Sequence, residues 1–218
     1  MTALGLDVFA DRRRRLMERI GPKAAAVFFS APESVRSNDS HFDYRQNSDL
    51  YYLTGFEEPD AALVLLPGHD KHPTVMFVRK RDREREIWDG FRSGVEGAKE
   101  RFGASEAFLI AELDEKLPGL LDGRERLLYS LGHSPTRDAQ IVRSIGKIPG
   151  SGRRVKKGPR IVVDPEGELH EMRLFKTGSE LEALRRAIRV SAEAHVIAMK
   201  ATKPGCWNCT PTTSRFTA

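Results

Sequence analysis

Apolar positions in this chain come in short runs separated by charged or glycine- and proline-rich breaks. The first run is amphipathic. Over Leu6–Ile20, Phe9, Leu16 and Ile20 make a thin apolar stripe, with Asp7 placed to cap and Gly21-Pro22 as the stop, which predicts a helix. Ala24–Phe29 is apolar throughout and short, so it reads as a buried strand ended by Ser30-Ala-Pro32. Leu50-Tyr-Tyr-Leu53 reads as a half-buried strand from its aromatic content. Ala62–Leu66 and Val75–Val78 flank a Gly68–Pro73 turn and predict a hairpin inside a mixed sheet, followed by a charged turn at Lys80–Glu86. Helices are then predicted near Val95–Phe102, Leu113–Leu121 and Arg137–Ile145, alternating with strands at Ala107–Ile110, Leu127–Ser130 and Ile161–Val163. This alternation gives an α/β domain with a mixed sheet flanked by helices over about residues 1–170.

The character then changes. His170–Lys176 reads as a link to a long helix starting at Ser179, where Ser179 and Glu182 fit a capping box. Leu181, Leu184, Ile188, Ala192 and His195 share one face of that helix, which stops at Lys203-Pro204-Gly205. An apolar stripe of that length needs a packing partner.

Composition narrows the function. The chain has 218 residues, 39% hydrophobic and 31% charged, enough for a substantial core. Its net charge of +5 is spread over Arg12–Arg15, Arg79–Arg85 and Arg153–Lys157 without the aromatic interleaving that single-stranded nucleic acid requires, so solvated charge is the expectation and no nucleic-acid partner. Cys206 and Cys209 are the only cysteines and form a lone CxxC, too little for a zinc or redox site. With no signal-like N-terminus and no window long enough to span a bilayer, the expected setting is cytoplasmic, with no membrane partner.

The densest candidate chemistry is Arg36–Phe56, where charged, amide and hydroxyl side chains meet a run of aromatics before Gly55. Such a loop at a strand mouth is a working-surface candidate. Tyr44, Arg45, Asn47, Asp49 and Tyr51 are expected to lock it through buried hydrogen bonds. His41, His133, His170 and His195 have no metal-ligand spacing, and His170 and His195 read as structural.

Ser30-Ala-Pro-Glu33, Arg36-Ser-Asn-Asp-Ser40, Tyr44–Phe56, Glu86-Ile-Trp-Asp-Gly90, His170–Lys176 and Ala201-Thr-Lys-Pro-Gly205 appear in this order, and together they resemble the N-terminal half of the aminopeptidase P (Xaa-Pro aminopeptidase) family. The resemblance covers about residues 1–205. It implies a creatinase-type N-terminal domain, then a linker and long helix over 171–205 that would open a pita-bread catalytic domain. It also implies a metallopeptidase that releases the residue preceding proline, using two divalent ions, usually manganese, held on two Asp, one His and two Glu. Those metals activate water and polarise the scissile carbonyl. None of these ligands can be placed in this sequence, so this chain is expected to bind no metal and to be inactive alone, with no catalytic residue of its own.

What the resemblance carries over is accessory. Asp39 aligns with an acidic residue near the metal-site mouth; a turn aspartate capping Asn38-Asp39-Ser40 is the plain alternative. Trp88 aligns with a tryptophan that one subunit inserts into its neighbour's site against substrate, which implies a homo-oligomer; a core tryptophan is the alternative. Arg153 lies in the loop that offers an arginine to the entrance, with Arg154 an equal candidate and a solvated basic loop the alternative. The implied partners are peptides with proline second. A non-catalytic peptide- or histone-binding module, or an oligomerisation module, is the rival function.

Residues 206–218 resemble no part of the family, and a frameshift is the expected origin. Starting each codon of Cys206-Trp-Asn-Cys209 one nucleotide earlier permits Met-Leu-Glu-Leu, with the Glu forced. Family members continue Pro-Gly with Met and place Glu two positions on.

Overall fold

The computed structural model describes residues 5–38, 40–148 and 158–205. Chain contacts divide it into one body that ends at Leu174 and a second that begins at Phe175. Helix α1 (Leu6–Ile20) leads into β1 (Ala24–Phe29), followed by a small antiparallel pair, β2 (Val35–Ser37) and β3 (Ser40–His41). Next come α2 (Ser48–Thr54), β4 (Ala62–Leu65), β5 (Thr74–Val78), α3 (Arg83–Asp89), α4 (Gly94–Phe102) and β6 (Glu106–Leu109). The first body closes with α5 (Leu113–Leu121), β7 (Arg126–Leu128), α6 (Pro135–Gly146), β8 (Ile161–Val163) and α7 (Glu166–Leu174).

Six strands form one sheet in the order β6-β5-β4-β1-β7-β8. The β1–β4 and β4–β5 pairs are antiparallel, while β5–β6, β1–β7 and β7–β8 are parallel. The expected mixed sheet and the β4–β5 hairpin are both present. Alternation along each strand feeds two cores. Ala24, Ala26 and Phe28 of β1 join Leu63, Leu65 and Met76 on one face, which includes α1, α2 and α7 residues such as Leu16, Leu53 and Leu169. Ala25, Val27, Val64 and Phe77 point the other way, into Leu113, Leu117 and Leu121 of α5 and Ile141 of α6. Burial on both faces explains why β1 and β4 are apolar at every position.

Four local expectations are corrected. Leu50–Leu53 is helix, not strand: the Asn47 side chain caps α2 by accepting from the Asp49 and Leu50 amides, and Gly55 ends it in the left-handed region at φ 68°. The charged turn at Lys80–Glu86 becomes helical from Arg83, because Asp82 caps the Glu84 and Arg85 amides. His170–Leu174, read as a link, completes α7, with Leu169 and Met172 buried; Arg19 bonds Glu168 and Arg173 bonds Asp49 at 2.8 Å. Gly5, rather than Asp7, occupies the cap position of α1.

The second body contains α8 (Gly178–Ala201), 24 residues long. Its capping box is Thr177 with Glu180, two residues before the expected Ser179 pair. The Leu181, Leu184 and Ile188 stripe is solvent-exposed, and so is His195, whose Nδ1 lies 2.8 Å from the Ser191 carbonyl oxygen. Among the described residues no helix is long and apolar enough to cross a membrane.

Candidate functional site

The polar stretch is built outward from the end of β1. Ser30 continues the β1–β4 pairing through two bonds to Ala61: its amide donates to the Ala61 carbonyl at 2.9 Å, and its hydroxyl accepts from the Ala61 amide at 2.9 Å. The chain then leaves the sheet for the β2–β3 pair, which is exposed along its length, and returns at Tyr44. Asn38 lies at the bend with φ 39°, a left-handed conformation that asparagine tolerates better than most side chains. Asp39 lies outside the described residues; its neighbours Ser37 and Ser40 are paired across the two strands.

Gln46 holds the base of this excursion. Its Oε1 accepts from the Ala31 amide at 3.0 Å, the Asn47 amide at 2.8 Å and the Tyr44 hydroxyl at 2.9 Å. Its Nε2 donates to the Glu58 carbonyl at 2.9 Å. One amide side chain thus joins the segment leaving β1, the entry to α2 and the segment approaching β4. The lock expected of the surrounding residues is only partly formed by them. Tyr44 bonds the Ala31 carbonyl at 3.1 Å, Asn47 caps α2 and Asp49 pairs with Arg173. Arg45 is exposed, and Tyr51 packs edge-on against Phe9. Gln46 was not among the expected residues: sequence shows a polar run, and only the fold reveals which member turns inward.

Behind the loop, Arg12 and Arg13 of α1 reach the C-terminal end of α2. Arg12 Nη1 donates to the Tyr52 carbonyl at 2.9 Å, and its guanidinium lies 4.1 Å from the Tyr52 ring centroid. Arg13 Nη1 donates to the Leu53 carbonyl at 2.8 Å, and Nη2 to Gly103 at 3.3 Å. Burial pulls the Arg13 guanidinium down to about 10, so it stays charged at neutral pH. These cations anchor α2 by meeting the carbonyls that every helix leaves open at its end.

Trp88 sits on α3 with 87% of its surface exposed, beside Ile87 at 79%. The core reading of this tryptophan is thereby corrected: its indole faces solvent. Phe91 follows, also exposed, with Arg81 and Arg101 stacked 5.0 and 5.2 Å from its ring centroid. Contiguous exposed aromatic and aliphatic groups rimmed by cations are suited to contact a ligand or another chain. Arg153 and Arg154 lie outside the described residues. His41, His133, His170 and His195 are all exposed and widely separated in the chain. No group of three or more His, Cys, Asp or Glu side chains among the described residues could hold a metal ion, so the described residues do not fit a dinuclear centre.

Comparison with known proteins agrees with this geometry. The family described as "Aminopeptidase P, N-terminal domain" matches residues 9–129. The chain is 39% identical over 206 residues to the Xaa-Pro aminopeptidase of Escherichia coli (strain K12), covering 94% of this chain and 47% of that protein. It is 34% identical to the Xaa-Pro aminopeptidase of Haemophilus influenzae, covering 94% and 45%. Among solved structures, the Pseudomonas aeruginosa aminopeptidase PepP superposes with a TM-score of 0.90 at 40% identity, covering 95% of this chain and 47% of that one. A zinc-substituted E. coli aminopeptidase P in complex with product gives a TM-score of 0.89 at 37% identity, covering 96% and 48%. The chain spans about half the length of the curated relatives it matches. The family model over residues 9–129 and the identity along 94% of the chain lead to one assignment: this chain belongs to the aminopeptidase P family and carries that family's N-terminal domain.

Proposed function

We propose that this chain is the mouth-shaping N-terminal half of a manganese-dependent Xaa-Pro aminopeptidase that releases the residue preceding proline from peptides in the cytoplasm. The observation that carries the reading is the 39% identity to an Xaa-Pro aminopeptidase along 94% of the chain. In this reading residues 1–170, which α7 completes to Leu174, form the accessory domain, and the remainder of residues 171–205 is the linker and first helix of a catalytic half. Hydrolysis in this reading belongs to that catalytic half. Asp39 and Arg153 would line the entrance, and Trp88 would lie against the apolar part of a peptide in a neighbouring subunit's site, making the working form a homo-oligomer. The exposure of Trp88 on a short, capped helix supports that role, because an aromatic kept out of its own core is available to another surface.

A chimera tests this. Residues 5–174 of this chain should replace the matching part of the E. coli relative and retain manganese-dependent cleavage of an Xaa-Pro peptide. A chimera that folds and binds metal but does not cleave would sink the proposal. The chain by itself should release nothing from such peptides with manganese present.

The exposed Ile87, Trp88 and Phe91 group also favours a second reading, a peptide-binding or oligomerisation module without catalysis. Saturable binding of a proline-containing peptide to the isolated chain, lost in Trp88→Ala, would select it.

A further inference from the structure

β6 and β8 are the two edges of the six-stranded sheet. An edge strand carries backbone donors and acceptors with no strand beside them, and proteins usually blunt such edges. β6 is blunted. Its Ala107 amide is taken by the Glu106 side chain at 3.0 Å, Lys99 pairs with that carboxylate, and its residues are buried or half-buried.

β8 differs in each respect. Ile161-Val-Val163 has the unbroken apolar composition of a covered strand, yet its residues are 54%, 38% and 40% exposed. It is fastened to β7 at both ends: the Arg160 amide donates to the Glu125 carbonyl and the Tyr129 amide to the Val163 carbonyl, each at 3.0 Å. Because Val163 turns its carbonyl to β7, the alternation of a strand turns the amide and carbonyl of Val162 to the open side. Among the described residues no side chain bonds either group.

The flanks decide what fits this edge. Arg160 precedes the strand and Asp164 follows it, and both are exposed. Asp164 Oδ1 accepts from the Glu166 amide at 2.8 Å, and neither side chain forms an ion pair with a described residue. A second copy laid antiparallel, Val162 against Val162, brings Arg160 of each chain opposite Asp164 of the other. The central valines then exchange two backbone bonds, and Ile161 faces Val163 on either side of them. A parallel second copy would set Arg160 beside Arg160 and Asp164 beside Asp164, so the charges select the antiparallel register.

We infer that β8 is a self-pairing edge, through which two copies of this chain join their sheets about a two-fold axis. The contact is short, so the dimer is weak and concentration-dependent. It uses no residue of α3 and does not rest on the peptidase reading.

Sedimentation equilibrium of the full chain over a concentration series tests this, with hydrogen exchange at the Val162 amide as the local readout. A monomer–dimer equilibrium is expected, with Val162 exchange slowing as the dimer forms. Arg160→Asp and Asp164→Arg should each weaken dimerisation about tenfold or more, because both symmetric pairs become like-charged. An equimolar mixture of the two variants should restore it, since each then faces its opposite charge. Val162→Pro should leave a monomer, having lost the outward amide but no bond to β7. Circular dichroism checks that the variants fold. A chain monomeric at every concentration overturns the inference. So does association with unchanged Val162 exchange, which would assign the contact to another surface such as α8, or a mixture no tighter than its components.

Discussion

Replacing Gln46 by alanine removes the acceptor shared by the Ala31 and Asn47 amides and the Tyr44 hydroxyl, and leaves the Glu58 carbonyl without its amide donor. Partly buried polar groups stranded together cost more than one typical bond, so Gln46→Ala should lower stability by about 2–3 kcal/mol. Urea denaturation reads the loss, and hydrogen exchange should quicken at Ala31 and Asn47 ahead of the central strands. A change under ~0.5 kcal/mol would mean that water replaces the side chain freely. Tyr44 gives a second handle at this scale. Burial pushes its phenol up to about 12, whereas an unfolded tyrosine ionises near ~10. The folded chain therefore keeps this proton where the unfolded chain has released it. Tyr44's contribution to stability is complete below ~10 and is lost as pH rises from ~10 to about 12. Tyr129, raised by burial and by its 2.7 Å bond to Asp138, acts in the same direction. Tyr44→Phe should remove one group from the late-titrating phenolate absorbance and flatten the alkaline fall in stability.

Helix α2 tests what decides between helix and strand in a short aromatic segment. Leu50-Tyr-Tyr-Leu53 has strand propensity, but Asn47 caps one end and Gly55 closes the other, and Leu50, Leu53 and Thr54 are buried at i, i+3 and i+4 spacing. Both end signals were present in the sequence; what it could not say was which face would be buried. Asn47→Ala should destabilise by about 1 kcal/mol, the ordinary worth of such a cap. Gly55→Ala should cost more, because an added Cβ would lie 2.6 Å from Phe9 Cζ and the backbone there is left-handed. Thermal melts of the two variants give the ranking, and equal losses would refute the steric part of the argument. In α3 and α8 the sequence reading differs from the structure for a shared reason. Sequence places a charged turn at Lys80–Glu86 and a helix start at Ser179, whereas Asp82 and Thr177 each find free amides one turn ahead and begin the helix there.

Across the whole first body, stability and the proposed working surface separate cleanly. Arg13 joins α1 to the end of α2 and to Gly103, so Arg13→Ala opens carbonyls on two elements and should cost about 3 kcal/mol in urea denaturation. Trp88 contributes exposed surface only, so Trp88→Ala should leave stability within about 0.5 kcal/mol. In the chimeric enzyme the same change should raise KM for longer peptides more than it lowers kcat, provided the indole binds ground state and transition state alike. A destabilised Trp88→Ala protein would show that the indole packs at home and not on a neighbour.

The sequence by itself determined the α/β class and the hairpin within a mixed sheet, because strands covered on both faces need unbroken apolar runs and those runs are written directly in the order of residues, while the family was legible through the resemblance of motifs such as Tyr44–Phe56 and His170–Lys176. Tertiary structure alone decided that Gln46 is the pin of the loop, that Leu50–Leu53 is helical, and that the Glu106 side chain takes the Ala107 amide at one edge of the sheet. The physical reason is common to all three. Periodicity records which residues avoid water, whereas a polar side chain's role depends on which unpaired donor or acceptor the fold brings within hydrogen-bond distance.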